Sequence, residues 1–354
     1  MSNSHVIKNK TIRQEVGIVI IGRNEGTRLY RSVQASVAKL DCVVYVDSGS
    51  TDDSLAVAHS LGAKTIALKE GPFTAARGRQ RGVEYLSKHH SELKYIQFLD
   101  GDCVLVNDWL ISAYDYLQSH DDVGAVCGRR KEEYIGRSIY NRLVDMDWLL
   151  PSGEVDSIGG GDALVRCDAL LRAGGWRVEL IAGEDLEFSQ RVLAAGFKIV
   201  RLCEDMVLHD IAMSNFRQYW RRHYRAGHAY AELALLCNGG PGRRWSRRVI
   251  SVIGYGIVLP PVAVISGTIY WPVSISIILI YLSLIFRLTR HRHKAGDKLK
   301  YSFAYGAVVT VCKTAVALGA CKFYLSKLVG HKTVLIEYKP LHVKENEPES
   351  ENDS

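Results

Sequence analysis

The sequence predicts an α/β domain built on a mostly parallel sheet, followed by two or three membrane helices. Three observations lead there. Short β-branched apolar runs alternate with helix-length segments through the first two-thirds of the chain, the pattern of repeated strand–helix–strand units. The first of these runs end in clusters of amides or carboxylates. From Val249 onward the composition changes to long apolar stretches close to the length that crosses a bilayer.

Val16 to Ile21 reads VGIVII, a strand buried on both faces. The run GRNEG at 22–26 breaks it, and a helix is expected from about Thr27 to Lys39. Cys42 to Val46 forms a second buried strand that ends at Asp47. The turn SGSTD at 48–52 leads to a helix over Asp53–Leu61, and Lys64–Ala67 supplies a third strand. A helix over Thr74–Lys88 precedes the strand YIQFL at 95–99, which delivers Asp100. In open parallel sheets ligands bind beyond the carboxyl ends of the strands. Asn24 and Glu25, Asp47, and the pair Asp100 and Asp102 therefore all point to one site.

The apolar stretch Val249–Phe286 is interrupted by Pro260-Pro261 and Trp271-Pro272. It fits two spans, about 249–269 and 272–288, joined near Trp271. Arg243, Arg244, Arg247 and Arg248 precede it, and Arg287, Arg290, Arg292, Lys294, Lys298 and Lys300 follow. Flanking cations mark the cytoplasmic side, which puts both ends of the pair there. A nucleic-acid patch would need no apolar neighbours, so no nucleic-acid partner is expected. A third stretch, Tyr301–Leu325, carries Lys313 near its middle. A charge there is costly in hydrocarbon, and two readings stay open: a third span facing other helices, or a helix lying in the interface.

The resulting organisation is a polar segment over 1–15, the α/β domain over 16–245, a membrane region over 246–330 and a polar, acidic tail over 331–354 that reads as disordered. The 354 residues, net charge +7, suffice for one sizeable domain plus an appendage. Eight cysteines stand singly with no CxxC pair, which speaks for a reducing compartment and against a zinc or redox motif. The first ten residues lack the apolar core of a secretory signal.

Several groups of residues have both a structural and a chemical reading. Asp100-Gly101-Asp102 is a turn composition, but at the end of a buried strand two carboxylates can reach a hard cation and its diphosphate ligand. Asp47 can cap the following helix region or contact a base or ribose. The helix with Arg77, Arg79 and Arg81 is a solvated basic face, or offers a guanidinium, with Arg77 the candidate, to phosphate oxygens. The loop Gly159-Gly160-Gly161-Asp162 permits close approach of backbone to ligand. Glu184 and Asp185 open a helix, where acids suit the dipole, yet a carboxylate after Gly183 can also serve as general base. His209 reads first as a structural histidine. Trp220-Arg221-Arg222-His223-Tyr224-Arg225 is an interfacial anchor or a surface for lipid phosphate.

In this order, the set resembles the family 2 glycosyltransferases with the GT-A fold, over about Val16 to Tyr230. The resemblance implies a nucleotide-sugar donor, UDP- or GDP-linked, a divalent metal (Mg²⁺ or Mn²⁺) and an inverting single displacement. By matching position, Asp47 contacts the nucleoside, with Asp100 close by and Asn24, Glu25 and Arg77 on the donor side. Asp102 holds the metal on the diphosphate, and His209 matches a position that completes the metal site in some of these enzymes. Asp185 is the base and Glu184 positions the acceptor, with Gly160, Gly161, Asp162, Arg221 and Arg222 on the acceptor side.

Processive members carry a Gln/Arg-x-x-Arg-Trp motif, whereas here Trp220 precedes its arginines. Transfer of one sugar to a membrane-bound acceptor is therefore expected, with a polyprenyl-linked glycan of bacterial surface polysaccharide as the model. The enzyme would sit in the inner membrane with its catalytic domain in the cytoplasm. Two rivals are weighed. A nucleotidyltransferase would start with a Gly-rich loop and a lysine. A non-catalytic scaffold would have no need to keep Asp100, Asp102, Glu184 and Asp185 together.

Overall fold

A computed structural model describes residues 3–237 and 239–330. The expected disordered tail over 331–354 lies outside them. The chain opens with helix α1 (Asn3–Glu15). This segment is polar in sequence, but Ile12 is buried and Glu15 accepts from the Tyr114 hydroxyl at 2.7 Å, so it is fastened to the domain.

The first half of the domain is β1 (Val16–Gly22), α2 (Thr27–Val37), β2 (Cys42–Asp47), α3 (Ser54–Ser60), β3 (Lys64–Ala67), α4 (Ala75–His89) and β4 (Tyr95–Asp100). These strands pair in parallel, in the spatial order β3-β2-β1-β4. Every residue from Val16 to Ile21 is buried, as a strand covered on both faces requires. α4 lies close against β1. A Cβ on Gly82 would come within 2.3 Å of Val19, so a residue without a side chain is needed for that approach. The close seat draws Arg79, one turn earlier on α4, into the interior, where it is 1% exposed.

The second half is β5 (Cys103–Leu105), α5 (Trp109–Ser119), β6 (Val123–Glu132), α6 (Ile139–Trp148), β7 (Gly153–Val155), β8 (Ala163–Arg166), α7 (Cys167–Arg172), α8 (Glu184–Ala194) and β9 (Lys198–His209). Here the sheet departs from the mostly parallel expectation. β8 enters between β4 and β6 antiparallel to both, β5 and β7 pair antiparallel with β9, and only β6 and β9 run parallel. The glycine loop 156–162 carries the chain from β7, which lies against β9, to β8 between β4 and β6, so β7 and β8 follow each other in sequence without pairing. The result is one mixed nine-stranded sheet.

The C-terminal part is helical. α9 (Phe216–Leu236) starts from a capping box in which Asn215 and Gln218 satisfy each other's backbone amides. α10 (Gly239–Ile253) continues through a π-helical turn at Gly254–Val258 into α11 (Leu259–Ile269). The widened turn precedes Pro260 and Pro261, which cannot donate to the helix ladder. α12 (Trp271–Lys294) and α13 (Leu299–Leu328) follow. Gly242–Ile269, Trp271–Lys294 and Leu299–Leu328 are each long and apolar enough to cross a membrane. The first two match the expected pair, the first starting earlier and the second ending later, so that the flanking cations are carried on helix.

Candidate active site

The carboxyl ends of β1 and β4, the glycine loop before β8, the first turn of α8 and one face of α9 enclose a cavity of about 390 Å³. Asp100 and Asp102 lie at the end of β4. Their turn is tied to β1 by Gly101 N–H donating to the Ile21 carbonyl at 2.7 Å, and to β9 by Asp210 N–H donating to the Asp102 carbonyl at 3.0 Å.

Asp100 is gripped by two arginines, with Nη2 of Arg79 at 2.8 Å and Nη2 of Arg130 at 2.9 Å. Burial alone would raise its pKa, and the two guanidinium groups more than offset this and hold it below the ordinary value. Arg79 also meets Glu184 at 2.7 Å, and so spans two carboxylates on different elements. Arg130 reaches the Gly160 carbonyl at 3.0 Å and Asp162 at 3.3 Å. Asp162 is wholly buried and accepts from the Asp100 N–H at 2.9 Å. Burial raises its pKa to about 6.

Asp185 sits at the second position of α8, after Gly183. Its Oδ2 accepts from the Gly160 N–H at 2.7 Å. Burial and the neighbouring Glu184 raise its pKa above the usual carboxylate range. Gly160 has φ of +77°, and a Cβ there would lie 2.6 Å from Arg130, so glycine is required on both counts.

On the other side of the cavity, Nε2 of His209 lies 3.2 Å from Asp102, and its Nδ1 is bonded by the Glu132 carboxylate. Burial and Arg130 oppose charging of this imidazole, and Asp102 and Glu132 outweigh them, so its pKa is raised. Asp102, Cys103 and His209 bring one potential ligand atom each within 4.8 Å of one another. Of these, Asp102 and His209 suit Mg²⁺ or Mn²⁺. Burial pushes the Cys103 thiol well above its ordinary pKa, and its sulfur faces Arg130 at 3.0 Å. A carboxylate holding the far nitrogen of a histidine is the outer support of a metal ligand. Glu25, Asp100, Asp102, Glu184 and Asp185 line the cavity together with Arg23, Arg28, Arg79, Arg130, Arg222 and Arg225, so acid and base are nearly balanced there.

Asn24, Glu25, Asp100, Asp102, Gly160, Glu184, Asp185, His209 and Arg222 all line the cavity. Five other residues picked from the sequence do not. Arg77 turns outward and donates to the carbonyls of Glu70 and Pro72 at 2.7 and 3.2 Å, and Arg79 takes the interior place. Asp47 accepts from the Tyr45 hydroxyl at 2.9 Å and from the amides of Gly49 and Ser50 at 3.0 and 2.8 Å, which shapes its own turn, while Ser48 reaches the cavity. Asp162 and Gly161 stand behind Asp100 and Arg79, and Arg221 lies beside the lining while Arg222 belongs to it. The sequence reading missed Glu132, Arg130 and Trp148, and it named Arg225, which also lines the cavity, only within the basic aromatic run 220–225. Glu132 and Arg130 close a strand, the same signal that marked Asp100, but no turn motif follows them.

Residues 17–159 match the family model described as glycosyl transferase family 2. An uncharacterised glycosyltransferase of Rickettsia conorii is 41% identical over 58 residues, which cover 16% of this chain and 21% of that protein. The O-antigen chain rhamnosyltransferase of Salmonella anatum is 23% identical over 227 residues, covering 60% of this chain and 70% of the relative. Among solved structures, a mannosyltransferase from Pyrobaculum calidifontis in complex with GDP-Man and Mn²⁺ superposes with a TM-score of 0.56 at 15% identity, covering 92% of this chain and 94% of that one. That likeness concerns the fold, which is of the GT-A type. The mixed sheet, the position of the paired aspartates and the family match agree, and the N-terminal domain of this chain belongs to glycosyl transferase family 2.

Proposed function

We propose that the protein is an inverting glycosyltransferase that moves one sugar from a nucleoside-diphosphate donor to a hydroxyl of a membrane-carried acceptor. The observation that carries this reading is the arrangement of Asp185 and Asp100–Asp102 on one cavity. One carboxylate with a raised pKa stands at a helix start, and a separate group of carboxylates stands at a strand end. A single displacement needs a base on the acceptor side and charge control on the leaving-group side.

Asp185 takes the proton of the acceptor hydroxyl as that oxygen forms its bond to the anomeric carbon. The bond from that carbon to the diphosphate oxygen breaks, and its electron pair leaves with the nucleoside diphosphate. Glu184, fixed by Arg79, helps seat the acceptor, and the Gly160 N–H holds Asp185 in place. Asn24 and Glu25 serve the donor side of the cavity. Asp102 and His209 are the residues that would hold Mg²⁺ or Mn²⁺. When bound, such a cation neutralises charge on the departing diphosphate.

A nucleoside-diphosphate sugar as donor, GDP- or UDP-linked, is in keeping with the GDP-Man bound to the Pyrobaculum protein, which speaks for the diphosphate and not for the base, and a glycan acceptor with the O-antigen role of the Salmonella relative. A lipid-linked glycan of cell-surface polysaccharide is the acceptor that the apolar helices beside the cavity favour. On this reading the enzyme works at the bacterial inner membrane with its catalytic domain in the cytoplasm.

The test is release of nucleoside diphosphate by detergent-purified protein from a panel of nucleotide-sugars. Mn²⁺ or Mg²⁺ is supplied, with and without a lipid extract. Turnover of one donor, lost in EDTA and in Asp102→Ala and raised by the lipid, is the expected result. Neither turnover nor calorimetric binding of any donor would leave the scaffold reading in its place.

A further inference from the structure

We propose that Arg248, Arg287 and Lys313 form a binding site for the phosphate group of a membrane lipid, beside the catalytic cavity. The proposal takes the apolar helices as membrane-embedded. It goes beyond the transfer reaction and does not depend on it.

The three cations come from three helices, α10, α12 and α13. α10 and the π-helical turn after it pack on α13. Val252 is buried in one cluster with Val316 and Ala317, and a Cβ on Gly256 would lie 2.6 Å from the Lys313 carbonyl. Arg248 stands one turn before Val252 and two before Tyr255, on the same face. Nζ of Lys313 lies 5.4 Å over the Tyr255 ring. α12 joins them from its own side. The Tyr281 hydroxyl donates to the Tyr255 carbonyl, and a Cβ on Gly306 of α13 would lie 2.8 Å from the carbonyl of Ile285, two residues before Arg287.

The charges that act on Lys313 are both positive, Arg248 and Arg287. Among the described residues, no carboxylate pairs with any of the three. Arg292, further along α12, does have such a partner, Asp297 at 2.6 Å. Like charges brought together without an acid repel, and a bound anion relieves this. Phosphate, with its several acceptor oxygens, is the anion that arginine and lysine serve best. Arg248 and Arg287 immediately flank the apolar stretch 249–286, and both are exposed. Such flanking cations meet lipid headgroups. Ile250, Phe286 and Val311, within two residues of the three cations, are exposed as well and suit the chains of a lipid rather than a soluble anion.

The site adjoins the cavity through one ring. Arg248 lies 4.3 Å over Tyr230, which is stacked on Trp245 at 5.4 Å and lines the cavity. The neighbouring Ala229 abuts the residue before Glu184 and Asp185: a Cβ on Gly183 would lie 2.9 Å from it.

Binding is measured on the detergent-purified full chain, without donor, using phosphatidic acid with a fluorescent tail and diacylglycerol of the same chains as the phosphate-free control. The parent should bind phosphatidic acid and melt higher in its presence, and diacylglycerol should do neither. Arg248→Gln and Lys313→Gln should each weaken binding about tenfold, the scale of one lost charge-assisted contact. Arg290→Gln, an exposed cation on α12 outside the group, should weaken it less than about threefold. Without lipid, Lys313→Gln should melt no lower than the parent, because one of three repelling charges is gone. A lower Tm there would make Lys313 a structural residue and overturn the proposal. So would equal binding of diacylglycerol, or an equal loss in Arg290→Gln. Inorganic phosphate that raises the Tm of the parent as much as phosphatidic acid does at the same concentration would give the site to a soluble anion instead. Donor turnover is scored separately: lipid binding without turnover would sink the transfer reading alone, and turnover without lipid binding would sink this one alone.

Discussion

The backbone N–H of Gly160 donates to Oδ2 of Asp185 at 2.7 Å. This one bond ties the glycine loop before β8 to the first turn of α8, two segments that are 25 residues apart. It fixes the carboxylate without neutralising it.

Asp185→Asn should therefore lower kcat about 10²- to 10⁴-fold, the usual contribution of a positioned base. Donor affinity should change little. The acid limb of the pH–rate profile should lie above the normal aspartate range, because burial and Glu184 raise this pKa and only the ionised form can accept a proton. The sign for stability is the opposite of that for activity. A folded pKa above the unfolded value means the folded state holds its proton more tightly. Stability is thus favoured below the unfolded pKa and lost as pH rises through the folded one. At neutral pH Asp185→Asn should melt no lower than the parent, and a clear drop in Tm would mean the carboxylate is structural.

Arg79 makes the contrasting case. Its guanidinium is 1% exposed and joins Asp100 and Glu184 at 2.8 and 2.7 Å. Arg79→Ala would leave two carboxylates facing each other in the interior, a loss of about 3–5 kcal/mol when a buried pair is broken by removing one partner. Arg79→Lys keeps a charge but cannot present two parallel N–H groups to two acids, and should recover only part. Thermal unfolding in detergent checks both. Equal melting of Arg79→Ala and the parent would show that these charges are not coupled.

How far the site was legible follows from where each residue lies. Strand-end residues were readable because a buried run stops and polar atoms begin, as at Ile21–Asn24 and Leu99–Asp100. The choice between Arg77 and Arg79 was not. Both sit on α4, and only the seat of Gly82 against Val19 decides which of them turns inward. Glu132 was invisible because its partner His209 is 77 residues away and reaches it through β6–β9 pairing. The antiparallel entry of β8 was hidden too, since four residues carry no direction. α13 looked equally like a span or a surface helix, because its protein-facing side is made of small and apolar residues rather than charges.

Arg221 and Arg222 are neighbours in sequence but should behave differently. Arg222 lines the cavity, pairs with Asp147 at 2.7 Å and lies 5.7 Å over the Trp148 ring, whereas Arg221 is outside the lining. Arg222→Gln should reduce turnover with a lipid-linked acceptor by about tenfold or more, the scale of one lost charge-assisted contact, while Arg221→Gln should change it less than about threefold. Both rates are measured as nucleoside diphosphate release at saturating donor. Equal losses would point to a general surface attraction for lipid phosphate rather than a contact inside the cavity.

The last prediction concerns Glu132. Its carboxylate bonds Nδ1 of His209 and also accepts from the Ile211 N–H at 3.2 Å, so it sets both the ring and the chain that follows it. Held this way, the imidazole directs Nε2 at Asp102. Glu132→Gln keeps the size and one acceptor oxygen but removes the charge that anchors the ring. Loss of such an outer support costs about 10- to 100-fold in metal affinity. Mn²⁺ binding, followed by the fall in the free-ion electron paramagnetic resonance signal, should weaken by that factor in Glu132→Gln and more in Asp102→Asn. The readout needs no turnover, so it separates a metal-site role from a catalytic one. Unchanged Mn²⁺ affinity in Glu132→Gln, with loss in Asp102→Asn, would take His209 out of the metal site and leave its link to Glu132 as a clamp between β6 and β9.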